Sequence, residues 1–295
     1  MTTENIAADA FETFSTRTRL PASIEVTARQ ALESDDLPRL FPRNVQVYIP
    51  DLGTDADSAL IKAAIKISNL GYEPVPHIAA RRLTSRAAFE DRIKALVLEA
   101  GVRDVLVIGG GLNQPLGDFA STLEVLQTGV LDRYGIKRIG IAGHPEGSPD
   151  FSDGIAAKAL RLKAEYAQRT DANMRIVTQF GFDADIFISW AMKLRQEGIL
   201  LPIHVGLSGP TKVKMLIKYA AMCGVGNSLD FLKKRTGSMA NLLSRHSPED
   251  VAAPIEAYAL GTSETSICQF HVFPFGGLKP SAAWLRDRES WPADD

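Results

Sequence analysis

Arg175-Ile-Val-Thr-Gln-Phe-Gly-Phe-Asp183 is a short apolar run that breaks into a polar Gln179 and then an aromatic turn. A strand buried on both faces ends where its apolar run ends, so the stretch reads as a strand over Met174–Thr178 with Gln179 at its C-terminal mouth. Parallel α/β proteins keep their binding groups at that end of their strands. A carboxamide there donates and accepts together, which suits the edge of a flat heteroaromatic ring; it suits a loop carbonyl equally well.

The same pattern recurs to either side. Strand candidates precede it at Ala22–Thr27, Asn44–Pro50, Pro74–Ala80, Asp104–Ile108 and Arg138–Ala142, and follow it at Leu201–Gly206 and Ile267–Phe273. Helical spacing fills the gaps over Asp57–Leu70, Thr84–Ala100, Phe119–Gly129, Ser152–Thr170, Asp185–Glu197, Lys212–Met222 and Ser281–Arg288. Residues 226–265 are helical in character and interrupt the rhythm, as a lid or a subunit contact would. Residues 1–20 carry no strand signal and read as an N-terminal extension with a short helix around Ala7–Phe14; residues 21–295 read as one domain. Eight strands alternating with helices predict a closed (β/α)8 TIM barrel of class α/β, in preference to a doubly wound open sheet.

Bulk properties exclude several classes. Of 295 residues 23% are charged and 45% hydrophobic, as in a globular protein, and the net charge of −2 offers nothing to nucleic acid or an anionic membrane. Two cysteines, Cys223 and Cys268, make neither a metal site nor a disulfide framework. No apolar run is long enough to cross a bilayer, and Glu4, Asp9 and Glu12 rule out a secretory signal in the first twenty residues. The default expectation is cytoplasmic, with a homo-oligomer left open.

A barrel of this kind holds its chemistry at the C-terminal strand ends. Those ends offer Glu25, Tyr48, His77, Gly109-Gly110-Gly111, His144, Gln179 and Phe273. Glu25 interrupts an apolar strand, and a buried carboxyl favours its protonated form, which suits a general acid; its bland alternative is pairing with Arg29. The three glycines let a ligand approach the backbone or simply make a flexible turn. His77 and His144 are each more often structural than ligating, His204 lies mid-strand in the core, and no pair has zinc spacing. Lys212 and Lys214 read as a solvated face, and Phe180 and Phe182 as core.

Three ordered strand ends together resemble the methylenetetrahydrofolate reductase family, a group of flavin-dependent (β/α)8 enzymes. Ile176-Val-Thr-Gln-Phe-Gly-Phe-Asp183 is similar to the family's I-T-Q-x-F-F-[DE] segment. Gly143-His-Pro-Glu-Gly147 is similar to its [YH]-P-E-G-H-P segment, and Gly110-x-Leu112 followed by Phe119-Ala-Ser121 to its R-G-D-x-P turn and [YF]-A-[ST] helix start. Gly206-Leu-Ser-Gly-Pro210 and Phe270-His-Val-Phe273 fall where its G-I-x-P and F-H-F-Y ends belong.

The resemblance implies hydride transfer from NADH or NADPH through FAD to the one-carbon unit of 5,10-methylenetetrahydrofolate, giving 5-methyltetrahydrofolate in one-carbon metabolism and methionine biosynthesis. It assigns Glu25 as general acid and Gln179 and Phe273 to the tetrahydrofolate substrate. It places Tyr48, His77, Gly109, Gly110, Gly111, Ala142, His144 and Lys158 against the flavin, and Phe119 and Ala120 beside its adenosine half. No metal is implied. The chain ends with the barrel, which implies that the regulatory domain of larger members, and the inhibition it brings, is absent. The chain departs from the pattern at Gly109-Gly110-Gly111, where the family's Arg and Asp are missing, and at Val213, where an aromatic is usual. Lys158 and Glu165 reverse the usual order of an Asp and a Lys. Those departures leave two rivals: a flavin-independent reductase with direct hydride transfer, and a non-catalytic folate-binding barrel.

Overall fold

A computed structural model describes residues 18–53, 57–148, 151–223 and 245–292. The expected helix at Ala7–Phe14 and the stretch 226–244 lie outside those residues.

The strands are β1 (Ala22–Glu25), β2 (Gln46–Ile49), β3 (Glu73–Ala79), β4 (Asp104–Ile108), β5 (Arg138–Gly143), β6 (Asn173–Phe180), β7 (Ile203–Ser208) and β10 (Ile267–Phe273). They close into a barrel in the ring order β1-β10-β7-β6-β5-β4-β3-β2. Every neighbouring pair in the ring is parallel. A separate antiparallel pair joins β8 (Thr211–Lys212) to β9 (Arg245–His246). The (β/α)8 fold is therefore the one predicted.

Alternation along each strand sorts the side chains into two layers. Val47, Ile49, Val105, Val107, Ile139, Ile141, Ile203, Val205 and Leu207 point outward and share one apolar core with the helices. The inner face carries a small apolar cluster of Tyr48, Val75, Leu106 and Val177. Around that cluster it is polar, with Ser23, His77, Asp104, Arg175, His204 and His271 all buried. At the floor Arg175 pairs with Asp104 at 2.8 Å, and Arg138 reaches Asp104 at 2.9 Å and Glu73 at 2.6 Å.

Several boundaries differ from expectation. The helix predicted over Phe119–Gly129 begins at Thr122, because Ser121 caps it and Glu124 closes a capping box, leaving Phe119 on the approach. Strand β6 continues past Thr178 to Phe180, and Gln179 falls in an irregularity of its register against β7 between Val177 and Phe180. Gly206 makes room for this: a Cβ there would lie 2.4 Å from the Thr178 carbonyl oxygen. Within 226–265 the described part holds the helix Glu249–Gly261.

Candidate active site

Register places the mouth residues on one rim. Ser23 is level with His271, and Ile24 with Val272, so Glu25 stands one step on, beside Phe273. Phe273 is level with Ser208 on β7, and β7 adjoins β6 and Gln179. Glu25, Phe273, Ser208 and Gln179 thus come from four consecutive strands of the ring, all at their C-terminal ends.

Glu25 does not pair with Arg29, which turns outward to Glu33 at 3.0 Å. Its Oε1 lies 3.6 Å from His77 Nε2 and 3.5 Å from His271 Nε2. His271 Nδ1 is 3.0 Å from the Ser23 hydroxyl, which fixes the ring. Burial pushes the His77 imidazole down to about 4, against the upward pull of Glu25. His204, also fully enclosed, is held well below the ordinary histidine value by burial, with Arg175 and His271 adding to it. A carboxyl on the rim, backed by two imidazoles, can hold or release a proton toward a bound ligand. Sequence reasoning singled out Glu25, and His77 as a flavin-side residue and not as a neighbour of Glu25; it passed over His271, which sits inside the Phe270–Phe273 segment between two apolar residues.

Gln179 spends its amide oxygen on the Phe180 backbone N–H at 3.1 Å. That bond uses the oxygen on a backbone N–H, where the bland alternative has the side chain donating to a loop carbonyl. Aromatic rings wall this side. Phe273 meets Phe180 edge-on at 5.5 Å, and Phe275 stacks on Tyr219 at 4.1 Å. Phe180 and Phe182 are core here, as expected, in a cluster with Leu216 and Ala220. Tyr219 and Phe275 went unnoticed because nothing in their local sequence separates a wall residue from core.

A second region opens on the β4–β5 side. A cavity of about 310 Å³ runs from the strand ends outward between the helices Asp153–Ala167 and Ala184–Gln196, and Gly109, Ala120, Ala142, His144, Arg81, Trp190 and Lys163 line it. His144 lies edge-on to Phe151 at 5.1 Å. Lys163 is buried, has no carboxylate partner among the described residues, and is pushed down to about 8 by desolvation alone.

Several residues expected beside the flavin do not line this cavity, His77 among them, since it stands beside Glu25. Tyr48 is fully buried inside the barrel, where its hydroxyl accepts from Arg175 Nη2 at 2.7 Å, and burial pushes it up to about 12; it faces the floor network and not the cavity. Phe119 turns into the helix layer against Phe89 at 5.9 Å, so Ala120 is the lining residue of that turn. Lys158 is exposed, and Lys163 takes the cavity wall: five residues along a helix rotate a side chain by about 140°. Of the three glycines only Gly109 lines the cavity. Gly110 and Gly111 turn away at φ of 100° and 65°, in the region that favours glycine. Their loop is fastened by Arg82, which donates to the Gly110 carbonyl at 3.0 Å, and by Arg81, which donates to the Leu112 and Ala120 carbonyls at 2.8 and 3.0 Å.

Comparison with known proteins bears on this geometry. The family model described as methylenetetrahydrofolate reductase matches residues 11–234. The "5,10-methylenetetrahydrofolate reductase" of Pectobacterium carotovorum subsp. carotovorum is 27% identical over 93% of this chain and 91% of its own length. "Methylenetetrahydrofolate reductase 1" of Schizosaccharomyces pombe is 39% identical over 88 residues, which are 30% of this chain, and the chain spans only 14% of that protein. Among solved structures, a Clostridium thermocellum protein described as binding two copies of 5-methyl-5,6,7,8-tetrahydrofolic acid shares the fold, with a TM-score of 0.57 and 12% identity over 94% of this chain and 97% of its own.

Proposed function

The chain belongs to the methylenetetrahydrofolate reductase family, and from that premise we propose that it reduces 5,10-methylenetetrahydrofolate to 5-methyltetrahydrofolate with NADH or NADPH as reductant. The observation that carries the reading is the shared rim: the carboxyl of Glu25 and the carboxamide of Gln179 stand at the same end of one closed barrel. Glu25 protonates a ring nitrogen of the folate, which opens the methylene bridge to an electrophilic iminium. His77 and His271 flank the carboxyl and hold it in place at the mouth. Gln179 donates to the pterin, and Phe273 closes the aromatic side of the mouth.

The cavity fits an anionic nucleotide-bearing group. Lys163 offers a buried ammonium with no carboxylate partner among the described residues, and Gly109 and Ala142 leave the cavity's inner end open to a flat ring. FAD bound there would relay hydride from the nicotinamide to the one-carbon unit. Residues Gly109, Ala120, Ala142, His144 and Lys163 would hold it. A flavin-independent reductase is the second reading, and it rests on the glycine turn, which presents no side chain to the polar edge of a flavin.

Two measurements test these statements. Nicotinamide oxidation by the purified protein must depend on methylenetetrahydrofolate; no dependence removes the reductase reading. A visible spectrum of the active protein separates the two cofactor readings, since full turnover without flavin bands assigns the hydride transfer directly to the nicotinamide.

A further inference from the structure

Ser208 ends β7 on the inner face of the barrel. Ile203, Val205 and Leu207 belong to the outer core, so alternation turns Ser208 toward the axis, and its register partner Phe273 lies at the mouth. The residue is 2% exposed, and its hydroxyl has no hydrogen-bond partner among the described residues. A buried hydroxyl without a partner destabilises the fold that contains it. Two other buried hydroxyls on the barrel strands are engaged: Ser23 with His271 and the Phe270 carbonyl, and Thr178 with the Gly206 N–H.

We infer that the Ser208 hydroxyl is a substrate-binding group, completed by the polar edge of the reduced pterin that Gln179 also engages. The inference rests on the folate reading above and adds a residue to it. Strands β6 and β7 are neighbours, and their register, with Phe180 level with Gly206, sets Ser208 about three residues, roughly 10 Å, farther along the strand direction than Gln179. The hydroxyl, level with Phe273, and the longer carboxamide side chain therefore meet the guest at different depths of the mouth. The hydroxyl rotates to donate or accept, so it serves whichever atom the ring presents. Glu25 stands across β10 from it, on the other side of Phe273. The three polar groups then meet a single flat guest from three sides of the rim.

The two roles of a buried hydroxyl move stability in opposite directions. If Ser208 bonded within the protein, Ser208→Ala would lower the Tm of the free protein. As a group waiting for ligand, its removal leaves the free Tm unchanged or raised and weakens the complex. Calorimetric titration of the full chain with 5-methyltetrahydrofolate, alongside thermal melts without ligand, reads both. The expected result is affinity reduced about five- to tenfold in Ser208→Ala at an undiminished Tm. Ser208→Cys keeps the shape with a slightly larger atom and replaces the hydroxyl by a weak donor, and it should show a similar loss. Affinity within twofold of the parent in either variant, or a fall in the Tm of the free Ser208→Ala protein, overturns the inference and leaves the folate reading standing. Absence of binding by the parent protein overturns both.

Discussion

Glu25 ends β1 at the rim, and its environment assigns its work. With Oε1 within 3.6 Å of two imidazoles and the mouth in front of it, it can pass a proton forward or back. Glu25→Gln keeps the shape and removes the proton. Its kcat should fall by about 10²- to 10⁴-fold while folate affinity stays within a few-fold; undiminished turnover would strip Glu25 of the role of acid. His77 has a separate consequence for stability. Its value near 4 lies below the 6.5 of an exposed imidazole. Between those values the unfolded chain takes up a proton that the folded chain refuses, so stability is lost as pH falls from 6.5 toward 4, by roughly 3 kcal/mol at the lower end. His77→Gln removes that loss. Urea unfolding at pH 7.5 and pH 5 should show the parent losing more stability than the variant; equal losses would place the proton elsewhere. Glu25 was legible because a charge inside an apolar strand is anomalous by itself. The His271 contact was not, because it joins positions 25 and 271 across the closure of the barrel. Lys163 was missed for a geometric reason: only the helix rotation fixed by neighbouring packing decides whether residue 158 or 163 faces the cavity.

At the scale of elements, continuous apolar runs made the strands readable, since a strand covered on both faces has no polar side to confuse the pattern. Helix starts were harder. Phe119 extends the apolar pattern backward from Thr122, yet the Ser121–Glu124 capping box sets the boundary. The glycine turn after β4 reads as loose in sequence, and two arginines on the loop after β3 supply its order through three carbonyls. The barrel floor is likewise a contract between strands. Asp104 on β4 serves Arg175 on β6, Arg138 on β5 and Gln46 on β2, the last at 2.9 Å. Burial opposes the charge on Arg175, and Tyr48 and Asp104 more than restore it, so its pKa stays raised. Removing one partner leaves the others charged in a dry interior. Asp104→Ala should therefore cost about 3–5 kcal/mol in chemical denaturation. A cost below about 1 kcal/mol, the size of an exposed pair, would mean that water reaches the floor.

Across the whole molecule, a closed barrel separates the end that does chemistry from the end that holds the ring shut. Closure requires β1 to pair with β10, and no local signal in either strand announces that partnership; the count of eight units carried the expectation. The structure seals the seam with the C-terminal segment. Trp291 Nε1 donates to the Ala22 carbonyl at 2.8 Å, the Ser290 hydroxyl donates to the Leu20 carbonyl at 2.7 Å, and Glu256 accepts from the Leu20 N–H at 2.8 Å and from Arg288 at 3.1 Å. Trp291 is 2% exposed and packs edge-on against Phe41 at 5.3 Å. Ala22 begins β1 and Glu25 ends it, so the seal and the acid lie about 10 Å apart on one strand, at opposite ends. Trp291→Ala removes a large apolar body and orphans a carbonyl at the seam. It should destabilise the protein by about 3–5 kcal/mol. Because β1 keeps its hydrogen bonds to both neighbours, kcat at a temperature well below the lowered Tm should remain within about twofold of the parent, a change worth less than 0.5 kcal/mol of transition-state energy. A large drop in kcat with the fold intact would show that the seam transmits strain along β1 to Glu25, and that the two ends of this barrel are not independent.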